Sequence, residues 1–151
     1  MKSLEHDFKN YPELTNRQMD LFYLESPHKQ IGEDFWAKVV KVIDGDTIRV
    51  TMDERDFDFP VRFLGTAAPE KNESGGIVSL KWLSNQILGE EVLIQIDKKE
   101  RVGKWGRLLG TIIHKGMNIN EESMRNGMSI PFDQIKEKGI PNFLENLEVI
   151  K

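Results

Sequence analysis

The chain has 151 residues, 38% hydrophobic and 30% charged, with a formal net charge of −4. That length supports one domain with a real core plus one appendage. The lack of cysteine excludes disulfides, zinc–thiolate sites and thiol catalysis, and no apolar run is long enough to span a membrane. Met1–Asn10 has no uninterrupted apolar stretch of the secretory type, which gives the expectation of a cytoplasmic protein, or one encoded by a phage. The negative total argues against a broadly basic surface, but the charge is uneven. Residues 1–34 carry seven acids against four bases, whereas residues 98–107 carry five bases against one acid.

Residues 1–34 read as an extension with a short helix, and 35–151 as the main domain. Thr15-Asn16-Arg17-Gln18 fits a capping box, and Met19 to Glu25 continues it as an amphipathic turn or two, stopped by Pro27. Met19, Phe22 and Tyr23 would share one face. This helix either packs onto the domain or serves as a docking arm for a protein or nucleic acid. His6 and His28 lie in polar surroundings and receive no role.

From Phe35 the pattern turns to strands. Trp36–Ile43 and Thr47–Met52 flank Asp44-Gly45-Asp46, an Asp-Gly hairpin signal. On this reading Asp44 and Gly45 make the turn and Asp46 begins the second strand. Residues 53–56 form a polar turn, and Phe57–Leu64 a third strand whose Pro60 predicts an edge or a bulge. Gly65–Gly76 is a loop. Ile77–Leu88 is a helix with Ile77, Leu80, Leu83 and Ile87 inward and Gly89 past its end. Glu91–Asp97 and Leu108–His114 are strands four and five. Asn118 caps a short helix, with Glu121 at its third position, that Gly127 ends, and Phe143–Ile150 adds a last helical turn or two. Three strands, a helix, then two strands predict a mainly β protein, a five-stranded OB-fold Greek-key barrel with an N-terminal helical extension.

Four polar residues stand out in this frame: Asp46 at the first turn, Arg62 among apolar neighbours in strand three, Glu70 after Pro69, and Arg107 before strand five. Together they suit phosphodiester cleavage. Guanidinium groups pair with phosphate oxygens and stay charged. A carboxylate can orient or deprotonate water, and oxygen ligands hold a hard divalent cation. Taken singly, each has an ordinary structural reading: a surface arginine, a loop glutamate, a turn aspartate. Lys98-Lys99-Glu100-Arg101 most often makes a solvated turn. Trp105, in a basic loop, suits stacking on a base.

Val42-Ile43-Asp44-Gly45-Asp46-Thr47, then Val61-Arg62-Phe63-Leu64-Gly65-Thr66-Ala67-Ala68-Pro69-Glu70, then Lys104-Trp105-Gly106-Arg107 resemble, in order, the three signatures of the staphylococcal nuclease (thermonuclease-like) family. Asn120-Glu121 to Arg125-Asn126-Gly127 resembles the helix that follows its barrel, so the likeness runs from Phe35 to Gly127. The resemblance implies hydrolysis of DNA or RNA phosphodiesters, normally with calcium, or with magnesium or manganese. It implies Asp46 as a metal ligand, helped by the Ala68 backbone carbonyl. It implies Arg62 and Arg107 on the phosphate, Glu70 as general base or water-orienting group, and Lys104 and Trp105 on the nucleotide.

One departure is central. Ala67 stands where the family usually carries its second aspartate ligand. Three readings are open: a weak nuclease using another acid such as Asp44 or Glu73, a retired nuclease that only binds nucleic acid, or an aspartate deliberately changed. A metal-dependent nuclease leads. The alternatives are an inactive OB-fold module gripping nucleic acid through residues 98–107, and an interaction protein whose residues 1–34 recruit a partner.

Overall fold

The computed structural model describes residue 8 and residues 11–22, 26–27, 29–103 and 107–132. Alternation of inward and outward side chains makes a meander of β1 (Phe35–Asp44), β2 (Thr47–Met52) and β3 (Arg55–Phe63). Ala37, Val39, Ile48, Val50, Phe59 and Val61 all turn to the core. In β1 the alternation slips once: Val40 and Lys41 are both exposed, and the register with β2 shifts between Val39 and Lys41. Such a bulge bends and twists a strand, as barrel closure demands.

A two-residue strand β4 (Thr66–Ala67) and helix α2 (Gly76–Ile87) follow, then β5 (Glu91–Gln95), β6 (Leu108–His114), β7 (Met117–Asn118), helix α3 (Ile119–Arg125) and β8 (Ile130–Pro131). The sheet order β3-β2-β1-β5-β6 closes on itself through a parallel β3–β6 pairing. The result is the closed five-stranded OB barrel expected from the order of elements. Its interior is sealed by Leu83 and Ile87 of α2 and Ile119 of α3. Each such fully buried aliphatic side chain contributes about 1.5–3 kcal/mol. Among the described residues no helix is long and apolar enough to cross a membrane.

Several local expectations need correction. The turn consists of Gly45 and Asp46, with Asp44 paired to Thr47, so Asp46 belongs to the turn and not to the second strand. Pro60 does lie on a local edge: it pairs with Arg49 of β2, and the β3–β6 pairing begins one residue later, at Val61. Its missing N–H therefore falls where β3 has only one partner. Ile77 is exposed, and α2 instead buries Gly76, Ser79, Leu83 and Ile87. Residues 96–97 lie past the end of β5. Gly89 does follow α2 with φ of 80°, and Asn118 caps α3 by accepting a 3.1 Å hydrogen bond from the Glu121 N–H. The expected final helical turns at 143–150, His6 and His28 fall outside the described residues.

The capping box forms as read. Thr15 Oγ1 accepts from the Gln18 N–H at 3.0 Å, Gln18 Oε1 accepts from the Thr15 N–H at 3.0 Å, and helix α1 spans Asn16–Phe22. Just before it, Glu13 and Leu14 are fully buried. The Glu13 carboxylate bonds the guanidinium groups of Arg55, on β3, and Arg101 (3.1 Å), and accepts the Ile31 N–H at 2.6 Å. Arg55 also lies 4.6 Å over the Phe59 ring. Burial lowers the Arg101 pKa, an effect that Glu13 opposes and Arg55 adds to. Arg101 is therefore not part of a solvated basic turn, and the basic stretch is less available to phosphates than its composition suggests.

Candidate active site

Two features of the sheet bring the predicted groups together. In the β3–β6 pairing Arg62 lies opposite Leu109, so Arg107, two residues before Leu109, projects from the same outer side of the sheet. Both arginines line one cleft of about 560 Å³ with Leu64, Lys99, Val102 and Phe132. In the β2–β3 pairing Arg62 lies opposite Thr47, which places the preceding residue, Asp46, beside it.

Asp46 is buried, at 5% exposure, and its carboxylate is held on both oxygens. Oδ1 accepts from the Thr47 hydroxyl at 2.9 Å. Oδ2 accepts from the Ala68 N–H at 2.9 Å and faces Arg62 Nη2 at 3.5 Å. Gly45 is required beside it by close approach. It is not among the positive-φ glycines, but a Cβ there would sit 1.9 Å from Ser79 Oγ and 2.7 Å from the Ala68 Cβ. The turn, the start of α2 and the segment carrying Ala68 thus close on one point.

Asp44 neighbours Asp46 and accepts the Asp46 N–H at 3.2 Å. Its pKa is raised from 3.8 to about 7, first by burial, then by hydrogen bonding to and repulsion from the Asp46 carboxylate. The folded state thus binds a proton between pH 4 and pH 7 that the unfolded state has released, so stability falls as pH rises through that window. Asp44→Asn removes the loss. In chelator, the variant is expected to melt above the parent by a margin that is larger at pH 8 than at pH 5. Equal margins at both pH values, read by thermal denaturation, would contradict this.

Glu70 is exposed, two residues beyond Ala68, and does not line the arginine cleft. Its backbone N–H is taken by Glu73 Oε1 at 2.8 Å, and Gly76 packs so closely that a Cβ there would meet the Glu70 carbonyl at 1.9 Å. The loop backbone is therefore fixed while the Glu70 side chain stays in solvent. Arg107 makes no side-chain hydrogen bond or ion pair among the described residues, although its carbonyl accepts the Gly103 N–H at 2.7 Å. Lys104 and Trp105 lie outside the described residues.

Ala67 is buried at 2% exposure in β4, paired with Ile130 of β8. Among the described residues no three His, Asp or Glu side chains come together to hold a metal ion. The donor chemistry nonetheless suits one hard cation held weakly. Asp44 and Asp46 place two carboxylates in a half-buried space where they repel one another, and a divalent ion relieves that repulsion.

Two cleft residues were not singled out from sequence. Lys99 belongs to a stretch whose sequence predicts only a solvated turn. Phe132 is 43% exposed, and Arg62 lies 5.9 Å over its ring. Phe132 reaches the cleft because β8 pairs with β4 and its N–H bonds the Gly65 carbonyl at 2.9 Å. An aromatic just past a helix-ending glycine is the only sequence hint, and a two-residue pairing over such a separation has no periodicity to detect.

The chain is thus a closed OB barrel in which Arg62 of β3 and Arg107, just before β6, share one cleft, with a buried aspartate ion-paired to the first of them. A family model described as staphylococcal nuclease homologue matches residues 60–148. A protein of Escherichia coli O157:H7 named "Uncharacterized endonuclease" is 32% identical over 114 residues, which cover 75% of this chain and 71% of that protein. A Haemophilus influenzae protein of the same name is 31% identical over 98 residues, covering 65% and 53%. A Shigella flexneri protein named "Micrococcal nuclease" is 34% identical over 79 residues, covering 52% and 42%. The chain belongs to the staphylococcal nuclease homologue family.

Proposed function

We propose that the protein hydrolyses phosphodiester bonds of exposed or single-stranded DNA or RNA, aided by a weakly held divalent cation. The observation that carries this reading is the pair Arg62 and Arg107 in one cleft. The fork geometry of a guanidinium suits the equatorial oxygens of a phosphate under in-line attack. Asp46 keeps Arg62 oriented through the 3.5 Å ion pair. Glu70, exposed two residues beyond Ala68, is the carboxylate assigned to orient or deprotonate the attacking water. Phe132 offers a face for a base, and Lys99 a charge for a neighbouring phosphate. Asp46 and Asp44 would hold the cation, with calcium favoured and magnesium or manganese as alternatives. When bound it supplies charge neutralisation and Lewis acidity.

A second reading, nucleic-acid binding without cutting, is favoured by Ala67, which leaves the cation two nearby carboxylates among the described residues. Incubation of single-stranded DNA with the protein in millimolar calcium or manganese, against a chelator control, separates the two. The nuclease reading expects products in metal and none in chelator. Salt-sensitive binding that needs no metal, with intact substrate throughout, would overturn it in favour of the binding module.

A further inference from the structure

The buried Glu13 has no place in the chemistry above, and it lies outside the family match, which starts at residue 60. What it grips is the base of the loop that carries Arg107. The two ends of that loop meet where the Leu109 N–H bonds the Arg101 carbonyl at 2.9 Å, where Val102 bridges to Leu108, and where the Gly103 N–H bonds the Arg107 carbonyl at 2.7 Å. The Arg101 backbone therefore belongs to the loop, while its side chain belongs to the N-terminal segment. Its guanidinium bonds Glu13 Oε1 at 3.1 Å and the carbonyls of Leu14 and Ile31. A second clasp runs from Asn16, whose Nδ2 donates to the Lys98 carbonyl at 3.2 Å and whose Oδ1 faces Arg101 Nε at 3.5 Å. On the barrel side the same Glu13 carboxylate is anchored by Arg55 of β3, the strand that carries Arg62.

We infer that the N-terminal segment is an internal strut, and that Glu13 is a positioning residue which sets Arg107 against Arg62 by fixing Arg101. One carboxylate ties the strand of the first arginine to the loop of the second. Bonds that branch from both oxygens to two guanidinium groups and a backbone N–H fix position far better than a single exposed ion pair. Misplacing a catalytic group by about 1 Å costs on the order of 10²-fold in rate, so a loosened loop acts on turnover more than on substrate affinity.

The inference rests on the nuclease reading for its kinetic test, and a second measurement is free of that reading. Glu13→Gln and Arg101→Lys are each made in the full chain and in an Arg107→Ala background. In the native background kcat is expected to fall about tenfold or more with KM changed less than twofold, and in the Arg107→Ala background neither substitution changes kcat further. Brief trypsin treatment, mapped by mass spectrometry, is expected to cut residues 98–107 at least about tenfold faster in both variants, with sites after Lys41, Arg49 and Arg62 still protected. An equal fall in kcat in both backgrounds, unchanged cutting of the loop, or cutting throughout the barrel would overturn the strut. If the unaltered chain does not cut nucleic acid, the nuclease reading fails by itself, and the trypsin map still decides the strut.

Discussion

Restoring a carboxylate at position 67 is expected to tighten calcium binding about tenfold or more, because affinity for a hard cation follows the number of charged oxygen ligands. Ala67 is buried and adjoins Ala68, whose N–H holds Asp46 Oδ2. In chelator a carboxylate at this buried position is desolvated with no cation to offset it, so Ala67→Asp lowers the melting temperature of the metal-free protein. Calcium reverses the loss, since a ligand present at a hundred times its Kd stabilises by about 2.7 kcal/mol. The same variant is expected to cut single-stranded DNA faster than the parent. Calorimetric calcium titration of both proteins checks the claim. Equal affinities would place the cation away from Asp46 and remove Ala67 from the account.

Glu13→Ala is expected to lower stability by about 3–5 kcal/mol. The arithmetic is one of uncompensated charge. The Arg55 and Arg101 side chains are 3% and 5% exposed, and Glu13 is the carboxylate between them. Removing it leaves two like charges in a region of low dielectric and frees the Ile31 N–H as well. The penalty is the cost of breaking the cluster and not its net worth. Replacing all three members by apolar side chains of similar volume is expected to be far less damaging. Urea denaturation reads the difference as a lower midpoint with an unchanged slope. A change under about 1 kcal/mol would place Glu13 among ordinary surface acids.

The barrel was legible because its signals are local. Period-two alternation marks Thr47–Met52, the capping box marks Asn16, and Gly89 and Gly127 mark helix ends. The arginine pair was legible only through motif spacing, and its geometric reason, the parallel β3–β6 register, is a property of closure that no window of sequence contains. Other features escaped for the same reason. Gly45 reads as a turn former, yet its need arises from Ser79 and Ala68, 34 and 23 residues away. Ile77 has the right spacing for an inward face, but the close seat of Gly76 on the Glu70 carbonyl rotates α2 so that Ser79 goes in instead. Glu13 looked like one acid of an acidic extension, and its partners stand 42 and 88 residues further on.

Single-turnover cleavage of a 5′-labelled single-stranded DNA in millimolar calcium tests most directly whether the arginine cleft carries the chemistry. The unaltered protein is expected to yield a ladder of products whose rate constant falls about 10²–10³-fold in Arg107→Ala, the usual effect of removing one transition-state donor. An Arg107→Ala protein that cuts as fast as the parent would contradict it.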